Sequence, residues 1–285
     1  MLAAAVIVFR EVLEAGLIVG VVLASTRGVA RRSAWVALGV GAGLLGACLL
    51  AAFAGSLAAA FEGAGQELFH ASVLLFAVGM LAWHNAWMAG HGRALAAEAR
   101  RLGSAVAAGR KPLLALSVIC GTALLREGSE TVLFLAGVAA AGAGSAASLA
   151  VGGALGLAAA LAVVALLYAG LLAVPARRIF AVTSTLVSLL AAGLAAQAVA
   201  LLQQAGYVQI GTATVWDTSG ILPEDSVVGR LLHALVGYTD RPSGAQVVAY
   251  LVVLALMAGV GTLARRIAVR SSGRNVPAET AGARG

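Results

Sequence analysis

Residues 2–26 read LAAAVIVFREVLEAGLIVGVVLAST, an apolar run long enough to cross a bilayer that nevertheless carries Arg10, Glu11 and Glu14 near its middle. A spanning helix needs about 20 predominantly apolar residues, and apart from those three charges the run supplies them. Six further stretches of this kind follow, at 33–60, 68–90, 113–141, 145–174, 179–203 and 246–264. With 61% hydrophobic and 11% charged residues, the chain has too little polar surface to coat a soluble globule. Backbone inside hydrocarbon must satisfy its own hydrogen bonds, so each stretch is expected to be a helix with polar connections at the two faces. The expected fold class is all-α, a polytopic membrane protein of seven transmembrane helices.

Basic residues fall in alternate connections. Arg27, Arg31 and Arg32 follow the first stretch, Arg93, Arg100, Arg101, Arg110 and Lys111 the third, and Arg177 and Arg178 the fifth. Arg265, Arg266, Arg270, Arg274 and Arg284 follow the seventh, against Arg230 and Arg241 alone on the opposite side. The bias of Lys and Arg toward cytoplasmic loops then puts the N-terminus outside and the C-terminus in the cytoplasm. Glu62, Glu67, Asp217, Glu224, Asp225 and Asp240 fall outside, Glu98 and Glu279 inside. The net charge of +7 is therefore a topology signal and points to no nucleic-acid partner. The first stretch lacks a basic leader region and reads as an uncleaved span. Cys48 and Cys120, both within expected spans, suggest neither a disulfide framework nor a thiolate metal site and read as small buried filler.

Arg10-Glu11-Val12-Leu13-Glu14 has a second copy, Arg126-Glu127-Gly128-Ser129-Glu130, in the fourth stretch. An ionised residue at the centre of a spanning helix costs about 2.5–3.5 kcal/mol on insertion scales, so six of them carry a naive penalty on the order of 15 kcal/mol. Something inside the bundle must offset it. At 100° per residue the two glutamates of a copy share one edge of the helix, with the arginine one turn from the second glutamate. For one copy alone, an arginine that neutralises its own glutamates and pins packing explains the pattern as well as a functional site does. Two copies together hold four glutamates and two arginines, a formal −2 if all are ionised, which suits a multivalent cation. Carboxylate oxygens favour hard cations, ferric iron more than ferrous, and no thiolates invite copper or zinc.

The first and fourth stretches cross the bilayer in opposite senses. Three spans opening on one copy and three opening on the other describe two inverted three-helix repeats plus a seventh helix, and such repeats commonly hold their site at the mid-membrane interface. The expected division is 1–92 for the first repeat, 112–203 for the second, 204–245 for a periplasmic loop, 246–268 for the seventh helix and 269–285 for a disordered cytoplasmic tail, all one integral membrane domain.

Paired Arg-Glu-x-x-Glu copies in a seven-span chain resemble the oxidase-dependent iron permease family. The likeness extends to Phe134-Leu135, to Gly152, Gly153 and Gly156, to the run from Trp216 and Asp217 to Leu222, to Gly237-Tyr238 and to Arg241-Pro242-Ser243. The resemblance implies a permease of the bacterial inner membrane that imports iron supplied by a ferroxidase or periplasmic iron-binding protein. It implies Glu11, Glu14, Glu127 and Glu130 as metal ligands, Arg10 and Arg126 as their supports, and iron as cargo rather than a permanent cofactor. Some relatives are linked to lead or other heavy metals. Many members carry a further glutamate near the place of His70, in Gln66-Glu67-Leu68-Phe69-His70. Glu67 and His70 are accordingly further candidate ligands, and Asp217, Glu224 and Asp225 of the long loop are candidates to receive iron before entry.

Other features have plainer readings. His84 and His91, among Trp83, Trp87 and Met88, read as interface anchors, with an exit-side metal contact the lesser reading for His84. The long loop 204–243 reads as a packed cap held by Trp216, Pro223 and Tyr238, whose acids capture cations weakly. Gly41-x-Gly43-x-x-Gly46 imitates a dinucleotide fingerprint without the strand it requires. Gly39 with Gly43, and Gly152 with Gly156, have the small-xxx-small spacing that lets helices approach closely. Thr183, Ser184, Thr185, Ser188 and Gln197 fit interhelical hydrogen bonding better than a polar path. An intramembrane enzyme lacks its His-Glu-x-x-His, Gly-x-Ser-x-Gly or Walker signature. A metal sensor differs from a transporter in binding iron without net passage.

Overall fold

The structure, a computed structural model, describes residues 1–60, 66–142, 145–170 and 176–273. Within them the regular elements are all helices: α1 Leu2–Ser25, α2 Arg32–Ala60, α3 Gln66–Ala107, α4 Leu114–Ala140, α5 Ala146–Tyr168, α6 Ala176–Gln204, α7 Val227–Val236 and α8 Gly244–Gly273. No strand occurs among the described residues, only an isolated bridge between Thr214 and Ser243. Glu62, Arg274, Glu279 and Arg284 lie outside the described residues.

Segments of α2, α3, α5 and α6 (Arg32–Ser56, Glu67–Met88, Ala146–Tyr168 and Arg178–Gln204) are long and apolar enough to cross a membrane. Their outer faces are apolar: Leu45, Leu49 and Phe53 of α2 and Leu155 and Leu161 of α5 are all more than half exposed. Such contiguous exposed apolar surface belongs against lipid. In α1 and α4, each long enough to span, the three charges of the motif interrupt the apolar run. The apolar part of α8, Gly244–Val260, is shorter.

The elements differ from the sequence expectation in four places. Helix α3 runs on to Ala107 instead of stopping near residue 90. Its extension is rich in good helix formers. There Leu95, Ala99, Leu102 and Val106 recur at three- and four-residue intervals and pack over the ends of α1 and α4. The loop expected at 204–245 contains α7, capped by the Ser226 hydroxyl at its start and by left-handed Gly237 at its end. Helix α5 ends at Tyr168, short of residue 174, and α8 reaches Gly273, inside the segment expected to be a disordered tail. Cys120 is buried as expected, whereas Cys48 is exposed on α2 and fills no core.

Packing fixes the relative direction of the helices. Ala3 of α1 shares a small pocket with Val138 at the far end of α4 and with Ala141 just beyond it. At the other end Ile18 and Val22 of α1 cluster with Leu116 and Cys120 near the start of α4. So α1 and α4 lie antiparallel. Helix α2 packs along α4 and α5 along α1. At the first seam a Cβ on Gly39 or Gly43 would strike the backbone of Ser117 or Gly121, and at the second a Cβ on Gly152 or Gly156 would strike that of Met1 or Ala5. Each motif helix is thus backed, through a glycine pair four residues apart, by the second helix of the other half of the chain.

The loop after α6 forms the packed cap. Tyr238 donates its phenol to the Leu222 carbonyl and shares a hydrogen bond with Thr218, and Thr218 in turn reaches the Asp240 carbonyl. Trp216, expected to fold the cap, is 43% exposed and stands at its margin.

Candidate metal centre

Both motif copies sit near the middle of their helices, and the antiparallel packing brings them face to face. Each repeats the same local geometry. Arg10 donates from Nε to Glu14 Oε1 at 3.0 Å, and Arg126 from Nε to Glu130 Oε1 at 3.1 Å. In each copy the arginine also lies 3.8 Å from the adjacent glutamate, Glu11 or Glu127. The i,i+4 spacing places arginine and second glutamate one helical turn apart, which makes this pairing a property of the local sequence.

The environments of the copies differ. Arg10 is 2% exposed, whereas the Arg126 side chain is 33% exposed and lies over the face of Trp87, 3.9 Å from the ring centroid. His91 stacks on the same Trp87 ring.

Helix α3 contributes the residue that sequence reasoning places elsewhere. His84 is 1% exposed and lies between the copies; it is not an interface anchor. Its Nε2 faces Glu14 Oε2 at 3.4 Å and Glu11 Oε2 at 3.6 Å, and its Nδ1 is in contact with Glu130 Oε2. Phe134 stands edge-on to the ring. Ring nitrogen and carboxylate oxygens from Glu11, His84, Glu127 and Glu130 all lie within 4.8 Å of one another. Glu14 joins through its contact with His84.

Many of these buried polar atoms accept or donate no well-formed hydrogen bond: both carboxylate oxygens of Glu11 and of Glu127, Oε2 of Glu14 and of Glu130, Nη1 of Arg10 and both ring nitrogens of His84. Native proteins rarely bury polar atoms without partners. A cluster of converging oxygens with unused lone pairs and a formal deficit of positive charge is the donor set a multivalent cation needs.

Apolar layers close the cluster on both sides along the helices. Ile7, Leu74, Phe134 and Val138 pack together on the side of the α1 N-terminus. Ile18, Val22, Leu116 and Cys120 do so on the opposite side. Asn85, next to His84, receives a hydrogen bond from Ser184 at 2.5 Å and donates to Ser188 at 3.1 Å, tying α3 to α6. The two serines therefore serve interhelical bonding, while Thr183 and Thr185 bond within α6.

The other candidate ligands are not part of this group. Glu67 is exposed and His70 half-buried in the first turns of α3, and His70 stands about 21 Å along the helix from His84. In the cap, Asp217 is exposed and paired with Arg241 at 3.0 Å while accepting from the Ser219 backbone and hydroxyl. Those Ser219 bonds, with Arg241, hold its carboxyl down at about 2. Glu224 lies 3.1 Å from His233 Nδ1, and Asp225 is exposed.

Residues 1–270 match the family model of the iron permease FTR1 family. The ferrous iron permease EfeU of Escherichia coli O6:H1 is 32% identical over 252 residues, covering 87% of this chain and 90% of that protein. EfeU of Yersinia pestis is 30% identical over 254 residues, covering 87% and 88%. No solved structure matches.

Proposed function

We propose, from the premise that this chain belongs to the iron permease FTR1 family, that it imports iron across the inner membrane through one shared mid-membrane site. The family makes it a multi-pass membrane transporter and no enzyme. Glu11, Glu14, Glu127 and Glu130 are the metal ligands, and Arg10 and Arg126 hold Glu14 and Glu130 in place. The observation that carries this reading is the convergence of four buried carboxylates, with oxygens that lack hydrogen-bond partners, from two antiparallel helices.

Seven spans arranged as two inverted three-helix repeats, 1–92 and 112–203, plus a seventh helix, account for how the site is built. The reciprocal seams of α2 on α4 and α5 on α1 support that arrangement, because a two-fold axis in the membrane plane exchanges one seam for the other. The distribution of basic residues supports an outer N-terminus and a cytoplasmic C-terminus. A periplasmic ferroxidase or iron-binding protein delivers the metal; that partner rests on the family resemblance alone.

Transport proceeds by alternating access. Metal enters when the layer of Ile7, Leu74, Phe134 and Val138 parts, and leaves when the layer of Ile18, Val22, Leu116 and Cys120 does. With the proposed orientation Arg10 lies on the outer side of its copy and Arg126 on the inner side of its own. With both layers packed, the arrangement corresponds to a site closed toward either face. The test is iron uptake into liposomes containing the purified chain. Glu14→Ala or Glu130→Ala should abolish uptake while the protein still inserts, and normal flux through either variant would end the proposal.

A further inference from the structure

We propose that His84 is itself a donor to the travelling metal, making the centre a mixed nitrogen and oxygen site that favours ferrous iron and the later first-row divalent ions over the hard cations, manganese among them, that oxygen ligands alone would hold. The inference rests on the glutamate site proposed above and adds the ligand that sets its choice of cargo.

His84 belongs to α3, which carries neither motif, yet its ring occupies the gap between the two copies. One edge, Nε2, faces the carboxylates of the first copy, and the other, Nδ1, faces Glu130 of the second. Nδ1 is taken up by Glu130, whereas Nε2, 3.4 and 3.6 Å from two carboxylates, has no hydrogen bond of good geometry, although the residue is 1% exposed. A buried structural histidine normally spends both nitrogens on partners. The ring is also held: Phe134 packs edge-on against it, and the Asn85 contacts to Ser184 and Ser188 fix the adjoining turn of α3 against α6. An imidazole with one nitrogen on a metal and the other on a carboxylate is a recurrent arrangement, in which the carboxylate orients the ring. Glu130 stands in the place of that carboxylate.

The chemistry of the donor set follows. Carboxylates alone suit magnesium, calcium and manganese, all of which would compete for a four-glutamate site, whereas imidazole suits iron and the later first-row ions. One nitrogen among the oxygens tilts the site toward ferrous iron. It also removes the reason to expect ferric cargo, which rested on oxygen donors only.

The measurement is iron K-edge X-ray absorption of the full chain in detergent, loaded anaerobically with ferrous salt, with competition by manganese titrated alongside. Wild type should show the outer-shell scattering of a coordinated imidazole. A variant in which His70, His91 and His233 are all changed to glutamine should keep it, leaving His84 as its only source. His84→Gln should lose the signature and weaken ferrous binding at least as much as loss of an outer-shell partner does, on the order of ten- to a hundredfold, with manganese affinity changed far less. An imidazole signature absent from iron-loaded wild type would overturn the proposal without any variant having to fold. So would its loss in the triple variant, or equal weakening of both metals in His84→Gln, which would make the ring a counter-ion to Glu130 or a spacer. Wild type that binds no metal would instead overturn the glutamate site, and this inference with it.

Discussion

Among the described residues, arginine–carboxylate and histidine–carboxylate pairs occur together in two places, the middle of the bundle and the cap between α6 and α8. Arg10 meets Glu14 at 3.0 Å, and Arg241 meets Asp217 at 3.0 Å. His84 adjoins Glu14 and Glu130, and His233 adjoins Glu224. The distances are alike and the surroundings opposite. Arg10 and Glu14 are each 2% exposed, while Arg241 and Asp217 are 61% and 53% exposed. In the cap the partners occupy one another: Asp217 takes Ser219 and Arg241, Asp240 caps the Glu224 amide, and His233 reaches the Tyr238 carbonyl. In the bundle the same kinds of group leave oxygens and nitrogens over. Pair geometry is therefore a poor guide to a binding site, and unused donor capacity in a dry place is a better one.

The largest contrast this predicts is in transport. Loss of Glu14 or Glu130 should stop uptake, as set out above, whereas Asp217→Asn and Asp225→Asn should leave it within about twofold, since exposed rim charges act weakly through screening solvent. Liposome flux measured across all four variants makes the comparison. A cap variant that halted flux as fully as the motif variants would move the site, or part of it, outward.

Stability gives the next largest. Removing one member of a buried ion pair strands its partner and typically costs about 3–5 kcal/mol, whereas an exposed pair contributes about 0–1 kcal/mol. Arg10→Ala should accordingly lower the thermal unfolding midpoint in detergent far more than Arg241→Ala. Equal shifts would mean the buried arginine is solvated by something other than its glutamates.

The two regions are unequally legible in the sequence. The motif copies announce themselves because the packing role that would explain one copy leaves the paired copies two negative charges in excess, and their antiparallel meeting follows from counting spans. The glycine pairs are equally readable as close-approach positions, but nothing in one dimension says that Gly39 and Gly43 face α4 while Gly152 and Gly156 face α1. Sequence reasoning misplaces His84 because aromatic neighbours such as Trp83 and Trp87 imitate an interface, and only the packing of α3 shows its ring turned inward. It also overlooks helix α7, although the local signals, a serine N-cap and a glycine C-cap around an apolar run, are present. Length alone marks that stretch as loop.

The glycine seams offer an intermediate effect. Gly39→Leu should destabilise by about 1–3 kcal/mol or more, because overpacking against backbone leaves no side chain to yield. Gly41→Leu serves as the control, since on the same helix a Cβ at that position would meet nothing within 4 Å. Gly156→Leu should behave like Gly39→Leu if the two seams are equivalent, and reconstituted flux should fall with both. Thermal midpoints that moved for one seam and not the other would break the two-fold relation between the halves.

The smallest effect separates the histidines of the two regions by pH. His233 in the cap is held above its ordinary value of 6.5, first by its contact with Glu224 and further by the Tyr238 carbonyl, against an opposing effect of burial. A raised value means that the folded cap binds the proton more tightly than the unfolded chain does. Its contribution is therefore complete below about pH 6.5 and fades as pH climbs through the raised folded value. Partial exposure limits it to under about 1 kcal/mol. Amide exchange in α7 should accordingly speed up between neutral and alkaline pH beyond its intrinsic chemical rise, and Glu224→Gln should flatten that excess. Because the cap engages its acids internally, the same pH step should leave the affinity of the central site for metal insensitive to Glu224→Gln. Coupled changes in both would show that the cap and the bundle act as one unit, and the contrast between them would lose its physical basis.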